Sequence, residues 1–165
     1  MQNHRQTKHW EVKYRAVPIT LLYLFRSYYK WLGMITKKSL IFIVDDDKPY
    51  GNLLSAYLRK AGFQHIELFH DEGQCLNNMG QHPEVLISDY NLNYMSGLKL
   101  IQEAREISPG FHSILLSGAF HKEHYSDDMP LDKVDKYIMK GDNELEKLSE
   151  TLESFMDPGN RIQYY

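Results

Sequence analysis

Short apolar runs alternate along this chain with stretches that have helical periodicity. The first run, residues 40–44, is uninterrupted and rich in branched side chains, which is typical of a strand buried on both faces. Helix signals follow it, because Asp47 suits an N-cap, Pro49 a first turn and Gly62 a left-handed C-cap. The alternation predicts an α/β fold, a doubly wound parallel sheet with helices on both faces.

The alternation predicts five strands in all. They span residues 40–44, 65–69, 85–88, 112–116 and 134–139. The first helix is predicted to bury one face, formed by Leu53, Leu54, Tyr57, Leu58 and Ala61. Later helices are predicted over residues 71–79, stopped by Gly80, over 97–107, and over 142–155, where Asn143 and Glu146 resemble a capping box. The polar segment 121–131 predicts only a turn or two of helix.

Charge divides the chain into two unlike parts. Residues 1–33 carry a net charge of +5, whereas the remaining residues carry −8. An acidic body is a poor nucleic-acid binder, because affinity for DNA comes largely from neutralising phosphates. We therefore expect no nucleic-acid partner. The longest apolar run of the basic part, residues 16–25, is too short to span a membrane, which takes about 20 residues.

These observations predict the domain organisation. We interpret residues 1–38 as a basic, aromatic leader that is disordered or not native to the domain; contact with an anionic membrane surface and an extra docking helix are the alternatives. Residues 39–156 are predicted to form the folded domain and residues 157–165 a tail, which is too short for an output domain. The only cysteine, Cys75, cannot form an internal disulfide, which favours a reducing, cytoplasmic location.

The residues that end the predicted strands carry the candidate chemistry. They are Asp45 and Asp46 after the first strand, Asp89 after the third, Ser117 after the fourth and Lys140 after the fifth. In an open parallel sheet these ends share one edge, where ligands bind. Clustered carboxylates repel one another, and oxygen ligands without thiolate favour Mg²⁺ as the counter-charge. The hydroxyl and the ammonium group suit the binding of a phosphoryl group, which a carboxylate can attack.

Four stretches resemble, in order and spacing, the signatures of the response regulator receiver domain of two-component signalling. They are LIFIVDDD, VLISDYNLNYMSG, ILLSGA and DKYIMKG, and the resemblance covers residues 39–156. It implies the flavodoxin-like strand order 2-1-3-4-5 and a single-domain regulator similar to those of chemotaxis. It also implies a phosphoacceptor that only phosphorylates and dephosphorylates itself, and not an enzyme that turns over a metabolite.

The resemblance assigns the phosphoryl and metal roles residue by residue. Asp89 would accept the phosphoryl group from a histidine kinase or a histidine phosphotransfer protein. Asp46, Asp89 and the backbone carbonyl of Asn91 would bind Mg²⁺ directly, and Asp45 would bind it through water. The cofactor implied is therefore Mg²⁺.

The resemblance also implies a switch. Ser117 would donate a hydrogen bond to the phosphoryl oxygens, and Lys140 would pair with them. Tyr137 matches an aromatic switch position that is linked to the place of the Ser117 hydroxyl. Phosphorylation would alter the surface around the fifth strand, where a downstream protein, unknown from the sequence, would bind.

Two positions depart from the family pattern. The family usually has a proline with a cis peptide bond after the lysine, where this chain has Gly141. It also often has a proline four residues after the phosphoacceptor, where this chain has Asn93, whereas Gly97 matches the pattern. Neither change removes a reacting group.

Two other functions stay open. Asp45 and Asp47 fit the Asp-x-Asp pattern of a haloacid-dehalogenase-like phosphatase, although Asp89 would then have no role. The second alternative is a receiver-like scaffold that binds partners without phosphorylation. The presence of all the expected reacting groups counts against it, and the altered loop at Gly141 keeps it open.

Overall fold

The computed structural model describes residues 33–118 and 133–157 of the 165-residue chain. In this part, the strands are β1 (Leu40–Val44), β2 (His65–Phe69), β3 (Val85–Asp89), β4 (His112–Ser117) and β5 (Lys136–Met139). The α-helices of the same part are α1 (Lys48–Lys60), α2 (Glu72–Asn78), α3 (Gly97–Ile107) and α4 (Glu144–Met156). Our predictions for residues 1–32, for the segment 121–131 and for residues 158–165 lie outside it.

The five strands form one parallel sheet in the order β2-β1-β3-β4-β5, which confirms the predicted topology. Side chains of a strand alternate between the two faces. In β1, Ile41 and Ile43 pack on one face with residues of α1 and α4. Phe42 and Val44 pack on the other face with residues of α2 and α3. The continuous apolar runs therefore belong to strands that are covered on both sides.

Side-chain caps begin three of the helices. Asp47 Oδ1 accepts from the backbone N of Tyr50, Asp71 Oδ1 from Gln74 and Ser96 Oγ from Lys99. Each cap satisfies a backbone N–H that has no partner within the helix. After α1, Gly62 adopts φ +95°, as predicted for a left-handed C-cap position. Among the described helices, none is both long and apolar enough to cross a membrane.

Two predicted details of the helices are wrong. Leu53 lies off the buried face of α1 and is 49% exposed, because Gly51, Leu54 and Leu58 already form the stripe that contacts the sheet. Asn143 forms no side-chain cap and adopts φ +66°, so the predicted capping box is absent.

Two predicted boundaries also differ. The helical conformation does not end at Gly80, as predicted. It continues as a 3₁₀ turn over Met79–Gln81 and ends at His82, where φ is +56°. β5 begins at Lys136, two residues later than predicted, because Asp135 is held by side-chain hydrogen bonds to Ser113.

Residues 33–38, which we assigned to the leader, pack against the domain. Ile35 is 2% exposed in the core beneath α1 and α4, and its backbone N donates to the Phe155 carbonyl. The ring of His112 stacks on Phe155 and donates a hydrogen bond to the carbonyl of Gly33. The packed part of the chain therefore begins before residue 39.

A polar cluster attaches the edge strand β5 at the amino-terminal end of the sheet. Asp135 Oδ2 accepts from the backbone N and the hydroxyl of Ser113 at 2.8 and 2.9 Å, and from Arg105 Nη2 at 3.0 Å. Burial alone would raise the pKa of Asp135, but these hydrogen bonds and the Arg105 charge hold it below its usual value. The ionised carboxylate therefore stabilises the folded state.

We expect Asp135→Asn to lower the free energy of unfolding at pH 7 by about 1 kcal/mol, because charged hydrogen bonds are lost at a site that is partly exposed. A carboxylate with a lowered folded pKa stabilises the fold fully above its unfolded pKa, about 3.9, and progressively less as the pH falls through the folded pKa. The difference between the two proteins should therefore shrink between pH 5 and about pH 2 in urea unfolding curves. Glu103→Gln, at an exposed ion pair on the helix that carries Arg105, is the control. A difference that does not change with pH would contradict the assignment.

Candidate functional site

The carboxyl ends of β1, β3 and β5 bring two carboxylates and one ammonium group together. Lys140 Nζ lies 2.7 Å from Asp89 Oδ1 and 3.0 Å from Asp45 Oδ2. Asp45 follows β1, Asp89 ends the adjacent, central strand β3, and Lys140 follows the edge strand β5. The long lysine side chain thus reaches across the end of β4.

Burial makes this contact strong. Asp45 is 1% exposed and Asp89 is 7% exposed. Burial raises the pKa of Asp45, and the charge and hydrogen bond of Lys140 offset this only in part. Burial would lower the pKa of Lys140, but the hydrogen bond and charge of Asp89, followed by the charge of Asp45, raise it overall. Lys140 is therefore held as the ammonium ion.

Backbone groups bind the other oxygen of each carboxylate. Asp89 Oδ2 accepts from the backbone N of Asn91 at 2.9 Å. Asp45 Oδ1 accepts from the backbone N of Asp47 at 2.9 Å. Each carboxylate is therefore oriented by its own following turn, with one oxygen directed to Lys140.

The predicted metal ligands lie at this edge without forming a closed cluster. Asp46 is half-buried beside Asp45, and Asn91 is exposed after Asp89. Within residues 33–118 and 133–157, no three His, Cys, Asp or Glu side chains converge as a metal-binding group. The Lys140 ammonium contacts both Asp45 and Asp89 and supplies their counter-charge. The available donors are oxygens, the type that Mg²⁺ prefers.

The two predicted switch residues lie on neighbouring strands. Ser117 ends β4, is 1% exposed, and its carbonyl accepts from the backbone N of Lys140 at 2.8 Å. Tyr137 pairs with Leu115 in the β4–β5 ladder, is half-buried, and packs against the core beneath α2 and α3. A link between the two side chains remains a prediction.

The sequence analysis missed two side chains that complete the surroundings of Lys140. The Lys140 ammonium lies 3.9 Å from the centre of the Tyr50 ring, which is cation–π distance. The Tyr50 hydroxyl donates to Glu144 Oε1 at 3.0 Å, and Glu144 Oε2 accepts from the backbone N of Gly141. Burial, reinforced by Glu144, raises the pKa of Tyr50 above its usual value, so the phenol remains a donor. No local sequence pattern relates residues that are 94 positions apart.

Gly141 explains how the loop after Lys140 departs from the family pattern. The Lys140–Gly141 peptide bond is trans, and Gly141 adopts φ +141°. Proline, with φ fixed near −65°, could not take this conformation. The replacement therefore changes the backbone course of the loop while Lys140 still reaches the carboxylates.

Gly97 allows α3 to begin directly against the end of β3. A Cβ atom at this position would lie 1.9 Å from the Asp89 carbonyl oxygen and 2.6 Å from Ser88 Oγ. The backbone N of Gly97 donates to the Tyr90 carbonyl. The match to the family pattern at Gly97 thus has a steric reason.

Comparison with known proteins identifies the group of proteins that this chain resembles. The sequence model of one protein family, the response regulator receiver domain, matches residues 41–153. No curated protein sequence matches the chain. Solved structures, in contrast, match over most of the described fold.

Three of these solved structures indicate the range of the likeness. The response regulator TrrA from Thermotoga maritima, in complex with Mg²⁺ and BeF, is 25% identical with a TM-score of 0.61, over 71% of this chain and 98% of TrrA. A CheY-like receiver domain protein from Methanospirillum hungatei is 28% identical with a TM-score of 0.60, over 72% of this chain and 96% of that protein. The BeF₃-activated DrrB receiver domain is 27% identical with a TM-score of 0.58, over 72% of this chain and 97% of the DrrB domain.

We expect Gly97→Ala to destabilise the domain by about 1–3 kcal/mol, because the new methyl group overlaps the Asp89 backbone. Urea unfolding measures the effect. Gly80→Ala is the matched control, since a Cβ atom there meets nothing within 4 Å. Equal stabilities of the two variants would contradict the steric argument.

Proposed function

The chain belongs to the response regulator receiver domain family, and from this we propose that Asp89 is its phosphoacceptor. The observation that carries the proposal is the contact of 2.7 Å between Asp89 Oδ1 and the Lys140 ammonium. Lysine in this place can neutralise an anionic group attached to Asp89. The neighbouring carboxylates Asp45 and Asp46 supply the oxygen ligands that a divalent cation would need.

We propose the following transfer reaction. A carboxylate oxygen of Asp89 attacks the phosphorus of a phosphohistidine on a histidine kinase or a phosphotransfer protein. The P–N bond breaks, an acyl phosphate forms on Asp89, and the leaving imidazole takes up a proton from solvent, so that it departs as a neutral ring. Lys140 pairs with the phosphoryl oxygens, and the Ser117 hydroxyl donates a hydrogen bond to them. In the separate dephosphorylation step, water attacks the phosphorus of the acyl phosphate, the bond between phosphorus and the Asp89 oxygen breaks, and phosphate leaves, which restores the carboxylate.

We propose Mg²⁺ as the cofactor. Asp46, Asp89 and the Asn91 carbonyl would bind it directly, and Asp45 through water. The bound ion would neutralise charge on the phosphoryl oxygens. The oxygen-only donor set supports the choice of metal, and so does the Thermotoga relative, which is described in complex with Mg²⁺ and BeF.

We propose that the readout is partner binding or phosphate relay, without turnover of a metabolite. The movement of Ser117 toward the phosphoryl group would change the packing of Tyr137 and so the surface offered to a downstream protein. A cytoplasmic location suits this role. It also suits Cys75, which is a buried free thiol.

The phosphatase alternative has weaker support. It needs Asp45 and Asp47 to act together on one substrate. Asp47 Oδ1, however, caps α1 by accepting from Tyr50 N, and Asp45 is buried against Lys140. The labelling experiment below distinguishes a phosphatase from a phosphoacceptor.

We expect the protein to gain one phosphoryl group when it is incubated with acetyl phosphate and Mg²⁺, and Asp89→Asn to gain none. Intact-protein mass spectrometry and acid-stability of the label measure this. Asp47→Asn keeps an N-cap at the same edge and is the matched control, which should label like the wild type. Label retained by Asp89→Asn would overturn the assignment and favour the phosphatase alternative, in which Asp45 is the nucleophile. An unlabelled wild type would favour the scaffold alternative.

Removal of the metal should lower the labelling rate at least about tenfold, because the phosphoryl charge then faces two carboxylates with Lys140 alone. Chelation with EDTA followed by excess Mg²⁺ tests this and its reversal. Titration calorimetry gives a second measurement, in which Asp46→Asn should weaken Mg²⁺ binding and Asp71→Asn, a distant N-cap, should not. Labelling that is unchanged in EDTA would contradict the cofactor proposal.

A further inference from the structure

We propose that Tyr50 and Glu144 form a clamp that positions Lys140 for the phosphoryl group, an inference that rests on the proposed function of Asp89. Tyr50 belongs to the first turn of α1 and Glu144 to the first turn of α4. The two helices begin at the carboxyl edge of the sheet, α1 after β1 and α4 after the Lys140 loop. The clamp is therefore specific to this edge and adds a third support to Lys140 beside its two carboxylates.

The first half of the clamp is the ring of Tyr50. It lies 3.9 Å from the Lys140 ammonium, and the backbone N of Tyr50 is itself bound to the Asp47 cap at 3.2 Å. The ring is thus carried by a rigid helix end that follows directly from Asp45. Its negative face attracts the ammonium and limits the positions that the lysine end can take.

The second half of the clamp is Glu144, which ties the loop to the ring. Its two carboxylate oxygens accept from different partners, the Tyr50 hydroxyl and the backbone N of Gly141. A side chain at position 141 cannot restrain the loop, because that residue is glycine, and a Cβ there would meet nothing within 4 Å. Two residues of the loop, Gly141 and Asn143, adopt positive φ. The hydrogen bonds of Glu144 therefore replace the restraint that side-chain packing would otherwise supply.

The clamp has a function in the transfer because phosphorylation changes the charge next to Lys140. Before transfer, Asp89 and Asp45 both attract the ammonium. After transfer, the ammonium must pair with phosphoryl oxygens instead of the carboxylate. Tyr50 keeps contact with Lys140 in both states, and acts through it as a positioning residue that does not touch the reacting atoms.

The test compares rates of labelling by acetyl phosphate at saturating Mg²⁺. The quantity compared is the maximal labelling rate divided by the donor concentration that gives half of that rate. We expect Tyr50→Leu to lower this ratio about tenfold. Tyr50→Phe, which keeps the ring, should remain within about threefold of the wild type. Tyr57→Leu is the matched control, because Tyr57 lies on the same helix and packs against the same core. It should lose similar packing and stay within about twofold.

Glu144→Ala tests the clamp from its other side and does not disturb α1. We expect a loss of about threefold or more, whereas Glu146→Ala, two residues along the same helix, should label like the wild type. Circular dichroism confirms that each variant is folded.

A double variant separates positioning from general loss of stability. In a Lys140→Met background, Tyr50→Leu should cause no further loss, since Tyr50 acts only through Lys140. An equal loss in both backgrounds, or a Tyr50→Leu rate equal to that of Tyr57→Leu, would overturn the clamp. An unlabelled wild type would instead overturn the proposed function of Asp89, and the clamp with it.

Discussion

The site depends on one balance of charge, in which two buried carboxylates share a single ammonium group. Removing a carboxylate from water costs several kcal/mol, and Asp45 and Asp89 are both almost fully enclosed. Lys140 offsets much of that cost by lying within 3.0 Å of both. The raised pKa of Lys140 and the raised pKa of Asp45 reflect the same compromise. Any chemistry at Asp89 must redistribute this charge, which is why the support of the lysine matters.

The sheet makes the balance possible. Parallel strands place their carboxyl ends at one edge, so residues far apart in sequence meet without a long connecting loop. β4, which separates Asp89 from Lys140, ends at the small residue Ser117 and is followed by Gly118, which leaves the lysine a path. Behind this edge, apolar side chains on both faces hold the strands in register, and Gly97 lets α3 approach the backbone of Asp89.

Sequence periodicity predicted the strands well, because buried parallel strands consist of unbroken branched residues, whereas the strand order followed from the resemblance to the receiver family. It also placed Asp45, Asp89, Ser117 and Lys140 at one edge, since each directly ends a strand or follows it. It failed where contacts join distant helix ends. Nothing near Tyr50 or Glu144 in the sequence indicates that they meet, and Leu53 satisfied the helical pattern yet faces solvent. The Asn143 cap failed because Asn143 adopts a left-handed conformation, whereas a capping residue is normally extended.

The packing of residues 33–38 against the domain determines where the chain enters it. Ile35 is hydrogen-bonded to Phe155, so the chain enters and leaves the described domain side by side, at the edge of the sheet remote from Asp89. Closely spaced ends make a domain suitable for insertion into a host protein or for circular permutation. A fluorescent reporter or a surface tether could therefore be joined at residues 33 or 157 and leave the opposite edge open to an incoming phosphodonor.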